Sequence, residues 1–250
     1  MTPAFASTYA ETAGGGLHVL QGGAGAPLVL LGPAGRSAPV FAPLAGRLAA
    51  RFRVLVPDLP GHGLSHPMPA ETSIEALAGE LLEALAGLGA PRAHFLGLHT
   101  GNKLCAAIAA RRPGRVDRLA LCGQSHSIVP DQQRRNAIIA GLPHLPGETE
   151  CDTRALYAAN FAYDLAADLA RIHAPTLVLE LTTDEEDRSV GRQAQAVQAL
   201  IPGPVRLAEL PHRHPGFCTL EHLAEETAAL VEDFLTPAAS GPPPSPQSSR

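Results

Sequence analysis

The chain has 250 residues, 45 % of them hydrophobic, a net charge of −5 and a pI near 6.1, which is enough apolar content for one well-buried α/β-sized core. With no Trp, three Tyr and no basic cluster, it offers no electrostatic footprint for nucleic acid, so small molecules are the expected partners.

Taken in chain order, the segment 8–21 alternates apolar and polar residues, is broken by "AGGG" and closes on "GGAGAP", the pattern of a hairpin or pair of edge strands. Continuous apolar runs follow: "PLVLLG" (27–32), "RVLVPD" (53–58), "AHFLGL" (93–98), "DRLALCG" (117–123), "PTLVLEL" (175–181) and "VRLAEL" (205–210). Runs of this kind suit strands buried on both faces of a parallel sheet. Helical periodicity fills the gaps at 41–50, 73–88, 101–112, 190–200 and 220–235. Thr72 or Ser73 can cap the second of these, and Gly89 stands just past its end. Strand and helix alternating at this length predict a doubly wound, mostly parallel sheet with active groups at the carboxyl ends of its strands.

The alternation lapses over residues 124–172, which have scattered apolar positions, several prolines and no convincing strand. A short helical cap inserted over the sheet is expected there, with the core domain formed by residues 1–123 and 173–235. The end, 236–250, is rich in Pro and Ser and is expected to be a disordered tail.

Cys105, Cys122, Cys151 and Cys218 form no CxxC pair and read as buried thiols. The opening "MTPAFASTYAETAGGG" lacks a basic segment followed by an apolar one, and no run approaches the roughly 18 apolar residues of a membrane span. A cytoplasmic protein that uses no membrane is expected; its oligomeric state is not legible.

The stretch "HFLGLHTGNKLCAAIAARRP" (94–113) reads as a strand turning abruptly into a helix, with His99 at the apex and Gly97 and Gly101 two residues to either side. Such a turn holds one side chain clear of the sheet, beside the N–H groups of a helix N-terminus that can stabilise developing negative charge. With "VLVPDLPGHGLS" (54–65), "APTLVLELTTD" (174–184) and "LPHRH" (210–214), it makes the chain resemble the α/β-hydrolase fold family from residue 8 to residue 235. The resemblance implies a nucleophile elbow at "GLHTG", a catalytic acid after the seventh strand and a histidine after the last, in that chain order. Carried onto this sequence, the acid is Asp184, with Asp187 as fallback, and the histidine is His214 in preference to His212. His62 belongs to the "PGHG" loop, where the resemblance implies support beneath the site. Ser125, His126 and Ser127 read as a loop or cap.

Two departures from the family pattern concern chemistry. The apex serine is His99, so no hydroxyl stands there to form an acyl-enzyme. The early loop runs Leu31, Gly32, Pro33, and proline lacks the N–H that this position would contribute to an oxyanion hole; the N–H of Thr100 remains. His99, Asp184 and His214 are therefore the expected catalytic groups, with Gly32, Pro33 and Thr100 around the oxyanion. A hydrolase of a small ester, amide or C–C bond is the leading expectation. A cofactor-free lyase or cyclase and a non-catalytic ligand-binding module are the alternatives. No cofactor is called for: two imidazoles and a carboxylate could hold zinc or iron, but no local ligand motif such as HxxxH accompanies them.

Overall fold

The computed structural model describes residues 4–123, 153–180, 192–210, 220 and 222–236. Eight strands form one sheet: β1 (Phe5–Thr12), β2 (Gly15–Gly22), β3 (Pro27–Leu31), β4 (Arg53–Pro57), β5 (Ala93–Leu98), β6 (Val116–Cys122), β7 (Thr176–Glu180) and β8 (Val205–Glu209). Their spatial order is β1-β2-β4-β3-β5-β6-β7-β8. The six apolar runs become the six parallel strands, and the segment expected to open the chain is an antiparallel hairpin that joins the sheet through β2 and β4.

Strand alternation divides the core in two. On β3, Val29 and Leu31 face one side with Leu55, Phe95, Leu119 and Val178. Leu28 and Leu30 face the other with Val54, Val56, Leu96 and Leu98. The first side is covered by α2 (Ile74–Gly87) and α3 (Thr100–Arg111), the second by α1 (Ala42–Leu48) and by the C-terminal helix (Ala224–Leu235). Each fully buried Leu or Val contributes roughly 1.5–3 kcal/mol, so a one-residue slip of any central strand would expose a whole row to the wrong layer. In α2 the buried positions Ile74, Leu77, Ala78, Leu81, Leu82 and Leu85 recur at helical spacing, and Ser73 caps it by accepting from the N–H of Ala76.

Element ends depart from the sequence reading where local chemistry intervenes. The helix expected at 41–50 begins as a 3₁₀ turn over Ala38–Phe41, with a proline in its first turn, and is regular only over Ala42–Leu48. The helix expected from 220 starts at Ala224, after a turn. Between β6 and β7 the described residues form α4 (Arg154–Ala162) and α5 (Leu165–Leu169); the fifth interval holds α6 (Ala194–Leu200), and the C-terminal helix is α7. Residues 124–152, which contain most of the expected cap with Ser125, His126 and Ser127, lie outside the described residues, as do 237–250. Cys105 and Cys122 are buried and reduced, and burial pushes the Cys105 thiol well up, which leaves it inert; Cys151 and Cys218 lie outside the described residues. No helix among the described residues is long and apolar enough to cross a membrane.

The far end of α3 is tethered by one buried carboxylate. Asp168 accepts from Arg111 Nε at 3.0 Å and from the hydroxyl of Tyr163 at 2.8 Å, with Arg171 3.5 Å away. Burial, reinforced by the bond to Asp168, raises the Tyr163 pKa far above the usual phenol range, so it remains a donor at any physiological pH. Asp168→Ala is expected to lower unfolding free energy by about 3 kcal/mol and Tyr163→Phe by about 1, because only the first strands a buried hydroxyl beside a displaced arginine. Urea unfolding curves of the two variants check the ratio.

Candidate active site

At the carboxyl end of β5 the chain turns into α3 through His99, which has φ 51° and ψ −105° and is the one non-glycine residue with positive φ among those described. A conformation this unfavourable for an L-residue costs on the order of 1–3 kcal/mol. The neighbouring glycines make the turn possible. A Cβ on Gly97 would stand 2.5 Å from the carbonyl of Gly101, and one on Gly101 would run into the carbonyl oxygen of Leu31 at the end of β3. Backbone therefore lies directly on backbone where β3, β5 and α3 meet.

The turn is also clasped to β6. His99 N–H donates to the carbonyl of Cys122 at 3.1 Å, while the Asn102 side chain bonds both the carbonyl and the N–H of the same residue. Just beyond, Gly123 has φ +56°, and a Cβ there would lie 2.9 Å from Cε1 of His99. The half-buried imidazole thus rests on the end of β6, above the carboxyl edge of the sheet.

Thr100 is the first residue of α3, so its N–H belongs to the group that has no partner within the helix. Its hydroxyl is engaged: it accepts from Ala34 N–H at 3.2 Å and from Asn160 Nδ2 at 2.7 Å, which ties the loop after β3, the elbow and α4 together. This hydroxyl is taken up in holding the turn together. In the loop after β3, Gly32 packs close to Phe41 and Pro33 has no N–H. The next two donors are committed, Ala34 to Thr100 and Gly35 to Nε2 of His62 at 2.9 Å. His62 is buried, and its Nδ1 donates to the carbonyl of Pro60 at 2.9 Å. It is held by backbone on both nitrogens as a neutral support for the loop, the role expected for it.

Asp184, Asp187, His212 and His214 lie outside the described residues, but the strand ends that precede them are described. β7 ends at Glu180, whose carbonyl accepts from Leu210 N–H at 3.0 Å just past β8. The buried Glu180 carboxylate accepts from Gln193 N–H at 3.1 Å and Ala194 N–H at 2.6 Å, at the start of α6. Glu180 thus joins the ends of β7 and β8 to the start of α6, with its carboxylate at a helix N-terminus.

The sequence reading missed Asn102, Asn160, Lys103 and Glu180. Lys103 is 3 % exposed and donates from Nζ to the carbonyl of Asn160 at 3.2 Å. A lysine and an asparagine opening the otherwise Ala-rich "GNKLCAAIAA", and a glutamate ending an apolar strand, were the available signals.

A strand, a strained turn and a helix meeting at the carboxyl edge of a mostly parallel sheet define the class of doubly wound α/β folds to which the α/β hydrolases belong. A profile of the α/β hydrolase fold matches residues 19–178, and the chain belongs to that family. A pimeloyl-[acyl-carrier protein] methyl ester esterase of Methylococcus capsulatus is 39 % identical over 110 residues, which cover 43 % of this chain and 41 % of that protein. Across the first four curated relatives the matched stretch spans 39 % to 58 % of their length. Among solved structures, a hydrolase from Pseudomonas aeruginosa superposes with a TM-score of 0.74 at 27 % identity, covering 92 % of this chain and 98 % of that one. The enol-lactonase of Burkholderia xenovorans, at 24 % identity and a TM-score of 0.73 over 91 % and 99 % of the two chains, shares the fold.

Gly101→Ala is expected to cost about 3 kcal/mol or more, since the added methyl group meets backbone that cannot move aside. The same change at Gly79, where a Cβ meets nothing within 4 Å, should be neutral or slightly stabilising by helix propensity. Paired thermal melts of the two variants test the contrast.

Proposed function

We propose that this chain is a hydrolase whose elbow works through the imidazole of His99, acting on a small ester, amide or C–C bond. The observation that carries the reading is the strained apex: a left-handed, non-glycine turn costs free energy, and here it holds a titratable base over the carboxyl edge of the sheet. Relatives named as esterases and hydrolases support the reaction class.

In this reading His99, oriented by Asp184 or His214, takes a proton from water as the oxygen adds to the carbonyl carbon. The developing oxyanion meets the N–H of Thr100 at the start of α3. Collapse expels the leaving group, which recovers the proton from His99. Residues 124–172 act as the cap that selects the substrate, and no cofactor enters the scheme. A second reading is favoured by the loop after β3: Pro33 has no N–H, and those of Ala34 and Gly35 are engaged. Acid–base lyase or cyclase chemistry, or ligand binding alone, would manage without a second oxyanion donor.

His99→Ala is expected to lower kcat/KM at least a hundredfold, a typical contribution of one general base, against a panel of short-chain esters, amides and β-diketones. Because the side chain is only half-buried, the melting temperature should change little. Full activity in a folded His99→Ala variant removes the reading.

A cycle of His99→Ser and Pro33→Phe tests the oxyanion account. The serine variant alone should be a feeble esterase, under-stabilised by roughly 3 kcal/mol or about a hundredfold. Adding Pro33→Phe to it should raise the rate more than additively, because the donor matters only once an oxyanion forms. Equal rates in the single and double variants would show that position 33 is not the donor position.

A further inference from the structure

We infer that Ser7, His18 and Asp58 form a second nucleophilic site at the outer edge of the sheet, one that accepts acyl groups from small activated esters onto Ser7 Oγ. His18 Nδ1 lies 2.8 Å from Asp58 Oδ2, and His18 Nε2 lies 3.0 Å from Ser7 Oγ. An ionised carboxylate can only accept, so Nδ1 carries the proton and Nε2 turns its lone pair to the serine hydroxyl. Base and carboxylate are 3 % and 2 % exposed, whereas Ser7 is exposed. A buried, oriented base beside an open hydroxyl is the arrangement that nucleophilic catalysis requires.

The relay is rigid. Asp58 Oδ1 accepts from Ala38 N–H at 2.5 Å and Oδ2 from Leu64 N–H at 3.0 Å. His18 N–H donates to Ser65 Oγ, whose hydroxyl donates to the carbonyl of Asp58. These contacts explain why His18 and Asp58 are paired and buried, but none of them involves Ser7. The third member therefore adds nothing to the anchoring of the 58–65 loop.

The surroundings suit an apolar acyl or aryl group. Phe5 and Tyr9 flank Ser7 on the same face of β1, two residues to either side. Tyr9 and Leu64 are the large apolar side chains left exposed among the described residues, at 53 % and 60 %. The Tyr9 ring lies 5.3 Å from that of His18, and the chain at Leu64 adjoins the relay through its N–H, which donates to Asp58. β1 and β5 stand four strand spacings apart, about 19 Å across the sheet, so this site and the elbow are separate.

In the reaction, the Ser7 proton moves to His18 Nε2 as Oγ bonds to the carbonyl carbon. The ester C–O bond then breaks, and the leaving alkoxide or phenolate takes the proton from Nε2, leaving Ser7 acylated. Water, deprotonated by the same nitrogen, then adds to the acyl carbon; the bond to Ser7 Oγ breaks, Oγ recovers the proton from Nε2, and the carboxylic acid leaves. A fluorophosphonate follows the first half of this course, with Oγ bonding to phosphorus and fluoride departing with the proton.

The test is to treat the full chain with a fluorophosphonate probe and map the adduct by mass spectrometry. Ser7 should be phosphonylated at least about a hundredfold faster than the exposed serines outside the relay, the usual scale of general-base assistance. The adduct should vanish in Ser7→Ala, fall to the background rate in His18→Gln, and persist in His99→Ala, which separates this site from the elbow. Should His18→Gln not fold, wild-type protein in concentrated urea serves instead, and Ser7 there should react like any other serine. Labelling of Ser7 at the background rate in the native protein, or at an unchanged rate in folded His18→Gln or in urea, would overturn the proposal.

Discussion

The structure depends on a close approach of backbone to backbone. Gly97 lies on Gly101, and Gly101 lies on the carbonyl of Leu31, so that β3, β5 and α3 come together with no side chain between them. A single methyl group at either glycine would force the helix off the sheet, and the apex would no longer overhang the carboxyl edge. The strain at His99 follows from this contact, because the turn must reverse within one residue. Asn102 shares the load by bonding both polar groups of Cys122, which locks the elbow to β6.

Around that contact the polar groups of the loop after β3 are used for construction. Ala34 N–H goes to the hydroxyl of Thr100 and Gly35 N–H to His62, and Pro33 has none to offer. Thr100 in turn receives Asn160 from α4, and Lys103 donates to the carbonyl of that same residue. The segment between β6 and β7 is therefore joined to the elbow through α4 by hydrogen bonds that can hold a position as well as a distance.

The buried histidines illustrate how neighbours decide roles. His62 faces backbone on both nitrogens and is confined to one neutral form. His18 faces a carboxylate on one side and an exposed hydroxyl on the other, so its second nitrogen stays chemically useful. His62 belongs to the 58–65 loop and His18 packs against it, and the difference lies in the side chains that Asp58 and β1 bring to His18.

The six parallel strands, the opening hairpin and the elbow were legible in the sequence, because strands buried on both faces must be continuously apolar and a strained turn must be flanked by glycine. That the turn carries a histidine at its apex and that the loop after β3 holds a proline without an N–H were legible for the same local reason: each is a property of one residue at one position. What only the tertiary structure decided are relations between distant segments. Thr100 meeting Asn160, Glu180 binding the start of α6, and Ser7 reaching His18 across a hairpin that pairs Ser7 with Leu20 depend on strand order and register. Periodicity reports which face a residue takes, but hydrogen-bond partners are set by which strand lies alongside, and that is settled when the whole sheet assembles.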